Sequence, residues 1–214
     1  MNEITVEIWS DVICPWCFIG KRKFEAALAD FEHRDSVRVR WRSFELDPTT
    51  PKDIDETIAE RMLRRQGIPP EHAAQLLAGV TATAAAEGLE YHLDKARPVN
   101  TFDAHRVVHL AADRDLAEPF QERLMRAYTA EGASLADRDT LVRLGTESGL
   151  DAAEVGKTLD GDDYADAVRE DEDRAARLGV SAVPSFVFAE TYVTSGAQPV
   201  ETLTDLLRRS TVPR

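Results

Sequence analysis

The feature that most constrains this chain is the pair Cys14 and Cys17, the only two cysteines among its 214 residues. Only Pro15 and Trp16 lie between them, in the sequence CPWC. A disulfide between them would close a very short loop, and the stabilisation from a cross-link grows with the length of the loop it closes. The pair is therefore a poor structural staple, and another kind of chemistry has to explain it.

Metal binding is the first alternative for two closely spaced cysteines. Zinc usually takes four ligands, commonly two cysteine pairs or one pair with closely spaced histidines. The chain has no second cysteine pair, and its one close pair of histidines, His105 and His109, lies far from Cys14 in the sequence. We therefore expect no metal site, which leaves reversible oxidation of the two thiols as the favoured chemistry.

The residues around the cysteines favour a redox motif. Residues 4–9 alternate between apolar and polar side chains, which is typical of a strand. Pro15 directly follows Cys14, and proline is favoured in the first turn of a helix. Apolar residues then recur at helical spacing up to Phe31, which predicts a helix that begins near the cysteines. Cys14 is thus predicted at a helix N-terminus, where N–H groups and the helix dipole stabilise a thiolate. Cys14 is the predicted attacking thiol, and Cys17, one turn later, the resolving thiol.

Charged neighbours are not expected to activate the pair. Trp16 has no charge, so we expect the N–H groups of the helix to be the main stabilising influence on the Cys14 thiolate. Lys21, Arg22 and Lys23 follow on the same helix and are interpreted as a solvated helix face.

Strand patterns occur at both ends of the chain, with helical patterns between them. Residues 37–44 alternate cleanly, and an apolar run follows Pro184, whereas residues 49–164 carry apolar side chains at helical spacing. We predict an α/β fold in which one sheet is built from both ends of the chain and an all-helical block is inserted. The predicted sheet domain consists of residues 1–48 and 165–214, and the predicted insertion of residues 49–164.

The charge balance and the apolar runs exclude several classes of partner. Acidic residues outnumber basic ones 39 to 26, which gives a net charge of −13 and argues against a nucleic-acid-binding surface. The acidic segment 164–178 is interpreted as a helix with a solvated surface. No apolar run approaches the roughly 20 residues of a membrane span, and the first residues do not resemble a secretory signal. We expect a cytoplasmic protein without nucleic-acid or membrane partners.

Four segments together resemble the thioredoxin superfamily, and within it the DsbA-like oxidoreductases of the cytoplasmic FrnE type. They are SDVICPWCFIG at 10–20, NTFDAHR at 100–106, GVSAVP at 179–184 and SGAQP at 195–199. The resemblance extends over essentially the whole chain. It implies a thioredoxin fold with an all-helical insertion, which agrees with the pattern of strands and helices.

The resemblance also implies residues that contact the substrate. The segment GVSAVP looks like the cis-proline loop of the superfamily, which implies a cis bond before Pro184 and a Val183 backbone beside the cysteines. In related proteins, this loop and the segment that matches residues 195–198 help to hold glutathione. The predicted substrate-binding residues are Trp16, His105, Val183, Pro184, Ser195 and Gln198.

We predict a thiol–disulfide oxidoreductase that acts through Cys14 and Cys17 on a substrate with a disulfide or thiols. No bound cofactor is expected, and glutathione is a candidate co-substrate. One alternative is a glutathione-dependent isomerase or transferase of the 2-hydroxychromene-2-carboxylate isomerase or kappa class. Those relatives typically carry serine at the position of Cys14, so the cysteine favours disulfide exchange. The other alternative is a non-catalytic binding module, but a residue that only caps a helix does not require Cys17.

Overall fold

A mixed sheet of four strands is built from both ends of the chain in the computed structural model, which describes residues 3–211. The strands are β1 (Ile4–Ser10), β2 (Val37–Ser43), β3 (Ser185–Phe188) and β4 (Tyr192–Ser195). β1 runs parallel to β2 and antiparallel to β3, and β3 runs antiparallel to β4. The order across the sheet is therefore β2-β1-β3-β4, with β1 and β3 in the centre.

Nine α-helices lie within the same described range: α1 (Pro15–Ala29), α2 (Ile58–Gln66), α3 (Pro70–Ala86), α4 (Phe102–Ala112), α5 (Ala117–Arg126), α6 (Arg138–Glu147), α7 (Ala152–Asp160), α8 (Ala165–Arg177) and α9 (Val200–Arg209). We refer to α2–α7 as the helical insertion. The predicted α/β fold with an inserted helical block is confirmed, whereas the boundaries after residues 48 and 164 stay a prediction. Among the residues described, no helix combines the length and the apolar character of a membrane span.

Both faces of β1 are covered, which explains why this strand is almost wholly buried. On one face, Ile4, Val6 and Ile8 pack against apolar side chains of α1 and α9. On the other face, Trp9 packs against α8, and its indole N–H donates to the carbonyl of Asp171 at 2.9 Å. Each large apolar side chain that is fully buried contributes about 1.5–3 kcal/mol relative to an exposed one. The end of β1 is therefore a fixed base for the connector to α1.

The interpretation of the acidic helix α8 as a solvated surface is wrong for Asp171, which is 1% exposed. Its carboxylate accepts hydrogen bonds from the backbone N–H of Ser43 and from Arg42, both at 2.8 Å. Because α8 covers one face of the sheet, an acidic side chain on its inner surface becomes buried and needs such partners.

Lys21 also lies inside the protein, so its interpretation as part of a solvated helix face is wrong. Its ammonium group lies 2.6 Å from Glu118 and 2.7 Å from Glu122, and it contacts Glu25 as well. Within residues 3–211, these three glutamates are the only group of potential metal ligands close enough to share an ion, and the lysine ammonium contacts all of them. Burial alone would lower the pKa of Lys21, but the glutamates raise it above its ordinary value. The cluster joins α1 to α5 of the helical insertion.

Gly20 allows α1 to pack closely against the loop that contains Pro184. A Cβ atom at residue 20 would lie 2.8 Å from Cγ of Pro184. We expect Gly20→Ala to lower the free energy of unfolding by about 1–3 kcal/mol, because the added methyl group overpacks this contact. Denaturant unfolding measures the change. Gly79→Ala in α3 is the matched control, because a Cβ there meets nothing within 4 Å, and alanine should leave the stability unchanged or raise it. Equal losses in the two variants would contradict the packing role of Gly20.

Candidate active site

Cys14 lies in a tight turn between β1 and α1. The N–H of Cys14 donates to the carbonyl of Asp11 at 3.1 Å, and the N–H of Cys17 donates to the carbonyl of Cys14 at 3.0 Å. Cys14 is the N-cap of α1 and has an extended backbone. Pro15 occupies the first turn, where backbone N–H groups have no acceptor within the helix, so the missing N–H of proline costs no hydrogen bond. The predicted position of Cys14 at a helix N-terminus is confirmed.

The thiol of Cys14 points to a backbone carbonyl and not to the helix N–H groups. Its Sγ donates to the carbonyl of Val183 over 3.8 Å, and within the described residues no N–H of α1 donates to it. Both cysteines are free thiols in this structure. A protonated thiol donates a hydrogen bond and therefore faces an acceptor, whereas the predicted contact with the helix N–H groups requires a thiolate. The stabilisation of a Cys14 thiolate by the helix stays a prediction.

Cys17 is the deeper sulfur of the pair. Its side chain is 1% exposed, compared with 5% for Cys14, and it packs among apolar residues that include Phe18 and Met125. Burial raises the pKa of the Cys17 thiol, and a hydrogen bond with Cys14 and negative charge on Cys14 raise it further. The two sulfurs therefore have different environments, although only two residues separate them.

Trp16 lies between the cysteines in the chain, and Tyr91 packs in the apolar cluster around them. Trp16 is 42% exposed, whereas the Tyr91 hydroxyl donates to the carbonyl of Pro15 at 2.6 Å. Burial raises the pKa of Tyr91, and negative charge on the two cysteines raises it further, so the hydroxyl keeps its proton as a donor. Sequence reasoning missed Tyr91, because no motif connects it with a helix that begins 76 residues earlier.

The loop after α8 brings four predicted substrate-binding residues together. The Val183–Pro184 peptide bond is cis, and the carbonyl of Pro184 accepts the N–H of Gly196 at 2.7 Å. The Ser195 hydroxyl lies 2.6 Å from that of Ser185, and the Gln198 side-chain amide donates to the carbonyl of Ser195 at 2.6 Å. Val183 and Ala197 also pack against the apolar cluster around the cysteines. The two segments thus form one surface next to Cys14.

His105 lies beneath the β1–α1 connector and not at the protein surface. Its side chain is 1% exposed, and its Nε2 is 3.4 Å from Oδ1 of Asp11. Burial alone would lower the pKa of His105, but Asp11, together with Glu45 and Glu172, raises it above its ordinary value. The carboxylate of Asp11 also accepts the backbone N–H of Leu46 at 2.8 Å. Sequence reasoning treated Asp11 only as part of a connector, and His105 as a substrate residue stays a prediction.

Three cavities differ in how they border the apolar cluster that contains the cysteines, and neither cysteine lines any of the three. A cavity of about 690 Å³ between α1, β2 and α4 is lined by Lys21 and Trp41, among others, and neither cysteine lines it. A cavity of about 480 Å³ between α2 and α3 is lined by Ile58, Leu77 and Tyr91, which also pack in the apolar cluster that contains both cysteines. A third cavity, of about 450 Å³, is lined by Phe18 and Leu89 of the same cluster, so two cavities border the surroundings of the cysteines.

The structure places the CPWC turn between a strand and a helix, next to the loop that contains Pro184, and a helical insertion follows later in the chain. Residues 5–208 match the family described as the DSBA-like thioredoxin domain, and the chain belongs to this family. The resemblance to DsbA-like oxidoreductases is confirmed at this level, and the FrnE type stays a prediction.

The chain is similar to the probable DsbA oxidoreductase SCO1869 from Streptomyces coelicolor, with 42% identity, a TM-score of 0.95, and coverage of 99% of this chain and 92% of that one. It is 26% identical over 196 residues, 91% of each chain, to the uncharacterized protein YwbO of Bacillus subtilis strain 168. It shares its fold with the cytosolic disulfide reductase DsbM from Pseudomonas aeruginosa, solved with GSH, at 20% identity and a TM-score of 0.67, covering 97% of this chain and 100% of that one.

We expect an alkylating reagent to modify Cys14 before Cys17 in the native protein. The Cys17 sulfur is buried and its pKa is raised, so little of it is thiolate at neutral pH. Brief exposure to iodoacetamide followed by peptide mass mapping measures the order of modification. In denaturant the two residues should react alike. Equal modification of both in the native protein would contradict the different environments of the two sulfurs.

Proposed function

We propose that the protein is a thiol–disulfide oxidoreductase that acts through Cys14 and Cys17 on a substrate with a disulfide or a pair of thiols. The observation that carries the proposal is the unequal placement of the two sulfurs. Cys14 is the N-cap of α1 and lies beside the carbonyl of Val183, and Cys17 is buried behind it. A two-step exchange needs one sulfur that meets the substrate and a second that attacks from within the protein. Membership of the DSBA-like family supports this chemistry.

In the reducing direction, the Cys14 thiolate attacks one sulfur of a substrate disulfide RS–SR′. The substrate S–S bond breaks, R′S⁻ leaves and takes up a proton, and RS stays bonded to Cys14. Cys17 then attacks the Cys14 sulfur, the mixed disulfide breaks, and RS⁻ leaves and takes up a proton. The Cys14–Cys17 disulfide remains, and two electrons have passed to the substrate. The reverse sequence oxidises a dithiol.

We propose that an extended part of the substrate lies beside Val183 and Pro184, with the exposed Trp16 at the same site. The apolar cavity between α2 and α3 supports an apolar substrate group next to the cysteines. Ser195 and Gln198 are proposed contacts for glutathione as a co-substrate, a proposal supported by the related disulfide reductase solved with GSH. His105 would contribute indirectly, because its closest charged partner is Asp11 in the connector.

No bound cofactor is part of the proposal, because the two thiols carry both electrons. We propose a cytoplasmic location and the FrnE type, on the sequence segments that resemble that group. The net charge of −13 supports a protein without a nucleic-acid or membrane partner.

We expect Cys14→Ser to reduce insulin-disulfide reduction and dithiol oxidation to the background rate, because serine offers no sulfur to form a mixed disulfide. Turbidity of reduced insulin and the loss of a peptide dithiol measure the two directions. Ser43→Ala, a buried substitution at the end of β2, is the control and should keep wild-type activity. Retained activity in Cys14→Ser would exclude Cys14 from the mechanism.

We expect Cys17→Ser to accumulate a mixed disulfide on Cys14, because the resolving sulfur is absent while the first attack is unchanged. Intact mass after exposure to oxidised glutathione measures the adduct. A free thiol at Cys14 after this exposure would contradict the two-step exchange. Isomerisation of a 2-hydroxychromene-2-carboxylate by the same variant with added glutathione would instead support the isomerase alternative. If no thiol-dependent activity occurs with either substrate, the pair belongs to a binding module.

A further inference from the structure

The first turn of α1 offers one backbone N–H to the Cys14 sulfur once that sulfur is a thiolate. The side chain of an N-cap residue accepts hydrogen bonds from the second or third residue of its helix, which here are Trp16 and Cys17. The N–H of Cys17 already donates to the carbonyl of Cys14 at 3.0 Å, whereas the N–H of Trp16 has no acceptor within residues 3–211. The N–H of Trp16 is therefore the donor available to the sulfur anion.

The N–H of Trp16 belongs to the same peptide group as the carbonyl of Pro15. A peptide group is planar, so a contact that holds the carbonyl oxygen also fixes the direction of the N–H at its other end. A hydrogen bond to the oxygen polarises the group as well, and this makes its N–H a stronger donor. Whatever binds the carbonyl of Pro15 therefore acts on the donor beside Cys14.

Tyr91 makes this contact. Its hydroxyl donates to the carbonyl of Pro15 at 2.6 Å, which is a short distance for a hydrogen bond between two oxygens. Tyr91 is 6% exposed, and its ring stacks on that of Phe18 with the centroids 6.4 Å apart. Burial raises the pKa of Tyr91, and negative charge on the cysteines raises it further, so the hydroxyl keeps its proton when Cys14 ionises. The bond to Pro15 therefore persists in the thiolate form.

The segment after Tyr91 is fixed to the helical insertion. The backbone N–H of His92 donates to the carbonyl of Thr129 at 2.7 Å. Lys95 packs on Gly132, where an added Cβ would lie 2.7 Å from Cβ of the lysine. Thr129 and Gly132 both belong to the turn that follows α5. Because these two contacts anchor the segment, the hydroxyl of Tyr91 has a defined position over the first turn of α1.

The charged side chain on the same face of α1 does not replace this neutral donor. The guanidinium of Arg22 lies over the ring of Phe18, 5.0 Å from its centroid, and is paired with Glu25 and Glu122. Arg22 and Glu122 act on the pKa of Tyr91 in opposite directions. Their ion pair leaves the dipole of the peptide group as the local influence on the sulfur of Cys14.

We propose that Tyr91 is a positioning residue for the Cys14 thiolate: its hydroxyl holds the peptide group between Pro15 and Trp16 so that the Trp16 N–H donates to the sulfur anion. This inference rests on the proposed function, because the thiolate is the form that attacks the substrate. Tyr91 and Trp16 keep their protons, and the proton that leaves Cys14 passes to solvent. The helical insertion thus controls the acidity of a thiol that lies at the end of the connector after β1.

The ionisation of Cys14 tests the role of Tyr91. In Cys17→Ser, Cys14 is the sole thiol, and the pH dependence of its alkylation by iodoacetamide gives the pH of half-ionisation. Adding Tyr91→Phe, which keeps the ring and removes the hydroxyl, should weaken the acidity of Cys14 about three- to tenfold. The limiting rate at high pH should stay the same or rise slightly, because a more basic thiolate is a better nucleophile.

Tyr164→Phe is the matched control. The hydroxyl of Tyr164 also donates over a short distance, 2.7 Å, but its acceptor is Asp113 at the end of α4. The half-ionisation of Cys14 should stay at its original pH in this variant. An unmoved half-ionisation in Tyr91→Phe, or equal shifts in the two variants, would overturn the proposal. A merely loosened structure would raise the limiting rate in Tyr91→Phe without moving the half-ionisation, and this outcome overturns the proposal too.

The amide resonance of Trp16 provides a second measurement that needs no substrate. In isotope-labelled Cys17→Ser, this resonance should shift downfield as Cys14 ionises, because the N–H gains a charged acceptor. Adding Tyr91→Phe should reduce the shift. A Trp16 resonance that does not follow the titration overturns the proposed donor. Failure of Cys17→Ser to accumulate a mixed disulfide with oxidised glutathione instead rejects the proposed function, so the two failures are distinguishable.

Discussion

The hydrogen bond from the N–H of Cys14 to the carbonyl of Asp11 is the constraint on which the site depends. It folds the connector after β1 into a turn and makes Cys14 the N-cap of α1. The side chain of Asp11 holds the same turn from below, because its carboxylate binds the N–H of Leu46 and lies 3.4 Å from His105. The end of β1, the segment after β2, and α4 therefore meet at this turn. A small displacement there would move both sulfurs relative to Val183.

Packing, more than charge, distinguishes the two sulfurs. Trp16, the exposed residue between them, is uncharged, and the groups that contact the pair are the Val183 carbonyl and apolar side chains. The balance between dithiol and disulfide then depends on how well the surrounding dipoles accommodate a sulfur anion. One of these dipoles, the Val183 carbonyl, belongs to a residue outside the CPWC segment.

The sheet and the cysteine pair could be predicted from the sequence, because both depend on local patterns. Alternation at 4–9 and 37–44 predicted β1 and β2 to within one residue at each end, since the period of two belongs to the strand itself. Buried charge could not be predicted. Lys21 and Asp171 can be buried because each has hydrogen-bonding partners, and these include residues 97 and 128 positions away in the chain. The sequence does not reveal such distant partners, and a charged residue without a known partner is expected on the surface.

The topology of the sheet has a consequence for the newly made chain. β3 pairs with β1, yet it follows the cysteines by about 170 residues, so at synthesis rates of about 5–20 residues per second it emerges roughly ten to thirty seconds later. Until then β1 lacks its central neighbour, and the carbonyl opposite Cys14 does not exist. The ribosome-bound intermediate therefore carries two thiols without the loop that would direct them to a partner. The contact between Cys14 and the Val183 carbonyl can therefore form only after the segment that contains Val183 has been synthesised.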